Sequence, residues 1–124
     1  MSTWSYVAVE GSQADDAERN MLNAANGLDT AQRETCKISA SDMRGKDARA
    51  VCFYDSDGDS FEGVMTTTFQ MEIVSTSTDY DRLYSDAAKF LNSLSPKQAQ
   101  NARVTFTNAS HNDATIAIYY PASV

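Results

Sequence analysis

Polar and apolar positions alternate with a period of two over the middle of the chain, and then switch to a helical period. In residues 35–41, Thr35, Lys37, Ser39 and Ser41 point one way, and Cys36, Ile38 and Ala40 point the other. That is the pattern of a half-buried strand. Residues 48–54 (ARAVCFY) read as a second strand whose facing the pattern leaves open. Residues 64–74 are the most regular strand. Thr66, Thr68, Gln70 and Glu72 share one face, and Thr67, Phe69, Met71 and Ile73 share the other. A slip of one residue would put Phe69 and Met71 in water, so the register is strongly held. Residues 42–47, with Gly45, and the acidic stretch 55–62 (DSDGDSFE) are turns. Beyond them Tyr80, Leu83, Tyr84, Ala87, Ala88, Leu91 and Leu94 form one apolar helical stripe. Thr78 and Asp81 have capping-box spacing, and Asp79 and Asp81 suit the positive end of a helix dipole. Ser95-Pro96 ends this helix and opens a shorter one.

The two ends are read the same way. Residues 4–10 (WSYVAVE) predict a strand. Residues 14–25 admit two readings. Ala14, Ala17, Met21, Leu22, Ala24 and Ala25 fit a helix face with Ser12 as N-cap, or residues 19–22 are the return strand of a hairpin that turns at 13–16. Propensity favours the helix. Residues 103–107 and 115–120 predict a closing hairpin, and no internal repeat is evident in the sequence.

At 124 residues this is one domain, 1–124, with ordinary globular composition. The apolar stripes are more than one small monomer needs to cover, which points to self-association. A net charge of −7 argues against a general nucleic-acid or anionic-membrane binder. The charge is uneven, however. Arg33, Lys37, Arg44, Lys46 and Arg49 face only Glu34, Asp42 and Asp47 in the same stretch, a local +2 against −9 elsewhere. The N-terminus has neither the basic end nor the apolar run of a secretory leader, and no apolar run spans a bilayer. Cys36 and Cys52 therefore read as reduced, buried thiols, although a cross-hairpin disulfide is geometrically conceivable.

No catalytic motif is visible, and no cofactor, membrane or small-molecule substrate is implied, so a binding or assembly protein is expected rather than an enzyme. Asp55, Asp57 and Asp59 have the odd-position carboxylates of a calcium loop. Ser60 stands where that loop needs Gly, and Thr66 where it needs Glu, so a turn without a specific metal is expected. His111, the single histidine, reads as a surface residue.

A sheet with one wet face needs a helix to cover the dry one, and the helix at 79–94 supplies it. Thr66, Thr68 and Gln70, with Lys37, Ser39 and Ser41 on a neighbouring strand, then line an exposed face of hydroxyls and amides flanked by cations, which suits RNA. Here the order of elements resembles a family. The run Arg33-Glu-Thr-Cys-Lys-Ile-Ser39, the basic turn, the strands 48–54 and 65–74, and Ser75-Thr-Ser-Thr-Asp79 opening an amphipathic helix are similar to the coat proteins of single-stranded RNA bacteriophages (levivirus-like). So is Met21-Leu-Asn-Ala-Ala-Asn-Gly-Leu28. The resemblance covers residues 4–100.

The resemblance implies an α+β fold, with an antiparallel meander sheet, an N-terminal hairpin and two C-terminal helices packed on the partner subunit's sheet. Residues 103–124 form an extra hairpin beyond the family pattern. It implies a virion structural protein, in the virion and, during assembly, in the host cytoplasm. Homodimers would build an icosahedral shell and bind a viral RNA hairpin as a translational repressor. Lys37, Ser39, Ser41, Arg44, Lys46, Arg49, Thr66, Thr68 and Gln70 would then meet RNA. Tyr80, Leu83, Tyr84, Ala87, Leu91 and Leu94 would line the dimer interface. The alternative is a ferredoxin-like acidic interaction protein that inhibits a host nucleic-acid enzyme. A helix at 14–25 favours that alternative, and a strand there favours the coat.

Overall fold

A computed structural model of the chain describes residues 2–42, 47–65, 67–76, 79–108 and 114–123. The protein is α+β, with two antiparallel three-stranded sheets. The elements run β1 (Trp4–Gly11), α1 (Ala14–Asn26), α2 (Thr30–Glu34), β2 (Lys37–Ser41), β3 (Ala48–Asp55), β4 (Phe69–Thr76), α3 (Tyr80–Ser93), α4 (Pro96–Gln100), β5 (Arg103–Asn108) and β6 (Ala114–Pro121). The first sheet has the order β1-β3-β2 and the second β4-β6-β5.

This arrangement corrects two expectations. The N-terminal segment is a helix, as propensity indicates, and not the hairpin that the coat resemblance implies. Its start differs in detail: Gln13 is the N-cap without a side-chain bond, and Ser12 donates to the Asp16 carboxylate instead. The strands also do not form one meander. β3 is flanked by β1 and β2, while β4 pairs with β6. The apolar run of β6 offers β4 a fully buried neighbour, and that gain outweighs pairing with the nearer strand in sequence. Helix α3 is capped by Asp79, which accepts from the Arg82 amide; Thr78 lies outside the described residues. The full capping box belongs to α4, between Ser95 and Gln98.

The chain is a structural repeat, contrary to the reading of the sequence. Each half runs strand, long helix, short helix, strand, strand, and each sheet has its last strand in the middle. The equivalence is visible residue by residue. Asp29 and Ser95 both cap a five-residue helix by accepting from the amide of Gln32 or Gln98. Leu28, Gln32, Ala48 and Tyr54 recur 66 positions on as Leu94, Gln98, Ala114 and Tyr120. Lys37-Ile38-Ser39 likewise returns as Arg103-Val104-Thr105.

Helix α1 lies between the two sheets. Met21 and Ala25 pack with Cys36, Ala50 and Cys52 of the first half and with Phe69, Ala117 and Tyr119 of the second. The alternate residues of β6 (Ala114, Ile116 and Ile118) pack with Leu83 and Ala87 of α3. The second sheet is therefore covered on both faces, by α1 and by α3. Asn26 closes the end of α1 by donating to and accepting from the Phe69 backbone. Where β2 meets β5, Arg103 braces the halves. It donates to the carbonyls of Cys36, Asn101 and Glu34, with its guanidinium 5.5 Å from the Phe69 ring centre.

Glu18 is wholly buried in this seam. Its Oε2 accepts from the hydroxyls of Tyr119 at 2.6 Å and Thr105 at 2.8 Å, while Oε1 has no hydrogen-bond partner. Burial raises its pKa above the usual carboxylate range, outweighing the two hydroxyl bonds that lower it. A raised folded pKa means the wild type is favoured below the unfolded value, about 4.3, and loses that advantage as pH rises through the folded value. Glu18→Gln, which cannot ionise, is therefore expected to gain stability relative to wild type between about pH 4 and about pH 8. Urea unfolding at both pH values measures this, and a constant difference would contradict it.

Cys36 and Cys52 are free and buried, with their sulfurs 2.8 Å apart, beyond the length of a disulfide bond. Their hydrogen bond, with burial, pushes the Cys36 thiol up. No described helix is long and apolar enough to cross a membrane.

Candidate functional site: the open face of the first sheet

The first sheet is covered on one side only. Val7, Val9, Ile38, Ala40, Ala50 and Cys52 pack toward α1. The pairings Trp4↔Asp55, Tyr6↔Phe53, Ala8↔Val51 and Glu10↔Arg49 place the alternate residues on the other side. Lys37, Ser39 and Ser41 join that side through their pairings with Phe53, Val51 and Arg49. Three large rings stand open there: Tyr6 is 67% exposed, and Trp4 and Phe53 are each 46% exposed. Tyr6 and Phe53 lie 6.2 Å apart and tilted, and the Lys37 ammonium sits 5.3 Å from the Trp4 ring centre. Arg49 is paired with Glu10 at 3.0 Å, which cancels much of its field.

At the Trp4 end the face runs into an open cleft of about 600 Å3 where β2 meets β5. Arg103 and Glu34 line it, but both are committed to structure. Each of the three Arg103 guanidinium nitrogens donates to a carbonyl. The Glu34 carboxylate accepts from four consecutive amides, Glu62, Gly63, Val64 and Met65. The cleft thus presents Trp4, Lys37 and Ser60 beside two charged groups already engaged in structure.

The structure brings together Lys37, Ser39, Ser41 and Arg49 from the expected RNA face. Thr68 and Gln70 are exposed, but Gln70 belongs to the second sheet, opposite Tyr120, and Thr68 just precedes that strand. The expected continuous wet face is therefore split, because β4 is not a neighbour of β2. Arg33 is inside the scaffold, donating to Leu28 O and Thr67 O. Arg44, Lys46, Thr66 and His111 lie outside the described residues.

Of the expected dimer-interface residues, Leu83 and Ala87 are buried on the chain's own second sheet, and Leu91 packs there in part. Leu94 is half-buried. Tyr80 and Tyr84 remain exposed, stacked at 6.4 Å, with Phe106 at 6.4 and 6.2 Å from them. The acidic turn is closed on itself. Burial raises the Asp55 pKa, but bonds from Ser60, Ser2 and the Asp57 amide outweigh it and hold the carboxyl at about 2. Among the described residues no three His, Cys, Asp or Glu side chains gather as a metal site.

Trp4, Tyr6 and Phe53 were not foreseen as site residues. The alternation put Trp4 and Tyr6 on one strand face, but only the position of α1 decides that this face is the open one. Comparison of the chain with protein-family models, with curated proteins and with solved structures gave no match.

Proposed function

We propose that this chain is a self-associating structural subunit, and that its work is done by surfaces rather than by a catalytic centre. One observation carries the reading: two exposed aromatic clusters, on outer faces of different layers, in a chain of 124 residues. The Trp4, Tyr6 and Phe53 cluster lies on the first sheet, and the Tyr80, Tyr84 and Phe106 cluster on and beside α3. Exposed apolar patches that are grouped, rather than scattered, mark interaction surfaces. Aromatic side chains also supply most of the energy in such contacts. The helix at Ala14–Asn26 withdraws one support from the bacteriophage-coat resemblance, and its acidic alternative gains by the same amount. What the two clusters support is assembly from copies, of which an icosahedral shell around RNA is the more detailed form.

The purified protein is expected to sediment as oligomers or particles whose size grows with concentration, visible by negative-stain electron microscopy. A monomer at high micromolar concentration, with no particles over a range of salt, would overturn the reading.

Lys37 above Trp4 favours a second reading of the same face, in which single-stranded RNA stacks bases on the three rings and brings phosphate to Lys37. On that reading Lys37→Glu lowers affinity for a fluorescent RNA hairpin about tenfold, with folding unchanged. Equal affinities remove RNA from the face. The Arg49–Glu10 pair and the net charge of −7 weigh against RNA, so assembly is the primary reading.

A further inference from the structure

The two halves share one design, but only one of them is completed. In the second half, the sheet face bearing Phe69, Tyr119, Arg103 and Thr105 is covered by α1. The matching face of the first half bears Trp4, Phe53, Lys37 and Ser39, and it is open. The match is close. Trp4 pairs with Asp55 as Phe69 pairs with Pro121. Lys37 lies over Trp4 at 5.3 Å as Arg103 lies over Phe69 at 5.5 Å. Phe53 stands 66 positions before Tyr119, and Ser39 66 positions before Thr105.

The helices mirror this imbalance. Glu18 is one of the residues of α1 that reach the next sheet, with Met21 and Asn26, and it accepts from Tyr119 and Thr105. Sixty-six positions on, α3 carries Tyr84, which is 49% exposed. One helix has a sheet on each side, and its counterpart has a sheet on one side only.

We infer that α3 of one copy docks on the open face of the first sheet of a second copy, repeating between chains the packing that α1 makes within the chain. This rests on the self-association proposed above and names its surfaces. Tyr84 takes the place of Glu18 and meets Phe53 and Ser39, the counterparts of Tyr119 and Thr105. A tyrosine suits a contact that must also survive in water, because its ring buries against Phe53 while its hydroxyl reaches Ser39. A carboxylate there would have to lose its charge or its solvation each time copies met.

The contact is heterologous. Within one chain the open sheet face and the outer side of α3 belong to opposite outer layers, with α1 and the second sheet between them. A copy therefore offers one surface to each of two neighbours, and the array ends only by ring closure or as a filament.

Sedimentation velocity on the full chain tests this with two variants at exposed positions, Tyr84→Glu and Phe53→Glu, each checked by circular dichroism. Each alone is expected to sediment as a monomer. Mixed one to one, they are expected to form a dimer and nothing larger, since Tyr84→Glu retains its sheet face and Phe53→Glu retains its helix. If Phe53→Glu loses structure, Tyr6→Glu replaces it on the same face. Wild type that associates while either variant still associates overturns this contact and leaves the assembly reading standing. A mixture that stays monomeric also overturns the contact. Wild type that is itself monomeric overturns both. If that monomer binds a fluorescent single-stranded RNA, and Phe53→Glu abolishes binding while Tyr84→Glu does not, the face belongs to RNA.

Discussion

Glu34→Ala is expected to lower the unfolding free energy by about 3–5 kcal/mol. The Glu34 carboxylate, almost fully buried, accepts from Glu62 N at 2.5 Å, Gly63 N at 3.2 Å, Val64 N at 2.5 Å and Met65 N at 2.7 Å. It takes the role of a strand neighbour for a segment that belongs to neither sheet. Met65, 1% exposed, enters the central core at the end of that segment, so losing the carboxylate loosens a core anchor as well as four amides. Glu34→Gln retains one acceptor oxygen but turns an NH2 toward amide donors, and its expected cost is smaller, about 2 kcal/mol. Burial alone would raise the pKa, yet the four amide bonds win and hold it below the usual range. Stability from a lowered carboxylate pKa is present above the unfolded value, about 4.3, and is lost as pH falls through the folded value. The gap between wild type and Glu34→Gln in urea unfolding should therefore narrow on acidification from about pH 5 to about pH 2. A gap that stays constant, or a Glu34→Ala variant within 1 kcal/mol of wild type by the same measurement (roughly the scale of one ordinary hydrogen bond), would show that these bonds do not hold the segment.

Gly11→Ala is expected to cost about 3 kcal/mol, although it adds one methyl group to an ordinary backbone conformation. A Cβ on Gly11 would lie 2.3 Å from Ala17 N and 2.7 Å from the Asp16 carbonyl carbon. Both are backbone atoms of α1, so no side-chain rotation relieves the clash. Helix α1 would have to lift from β1. It cannot do so freely, because Glu18, Met21 and Asn26 tie it to the second sheet. The displacement should also reach the Tyr119 hydroxyl bond. Denaturant unfolding should show a lower midpoint with an unchanged slope. A neutral or stabilising result would fit a looser seat for α1, in which the alanine only reduces the entropy of the unfolded chain.

These two positions also show where the sequence was readable. The strands at the start and end of the chain, the helix from residue 80 and the short proline-led helix could be read locally, whereas the strand expected over 64–74 begins only at Phe69. Their signals (alternation, apolar stripe, cap and proline) lie within a few residues of the elements they specify. Glu34 carried no such signal, because its partners are amides some thirty positions away and any residue could supply them. The repeat was hidden for a similar reason. Val7 packs on its helix where the exposed Glu72 stands, and Cys52 is buried where Ile118 stands, so residue type is not kept between the halves and burial is kept only at the second pair. What did persist, Leu28-Asp29 with Gln32 against Leu94-Ser95 with Gln98, is a helix start, and with the recurrence of Lys37-Ile38-Ser39 as Arg103-Val104-Thr105 it is a signal from which the duplication could have been found.

By itself, the sequence indicated most of the strands and the helices after residue 79, and which residues of each share a face; it left 14–25 open and gave no sign of α2. Those choices follow from backbone period and capping chemistry, which act over a few residues. Only the tertiary structure decided which faces are wet. β6 arrives from the far end of the chain to claim β4, α1 inserts between two sheets, and Leu83 and Ala87 turn onto their own sheet. Each of these trades long-range burial against long-range alternatives of similar polarity, and such competition leaves no mark on local pattern. The same competition leaves Trp4, Tyr6 and Phe53 open to solvent, and with them the surface on which the proposed function rests.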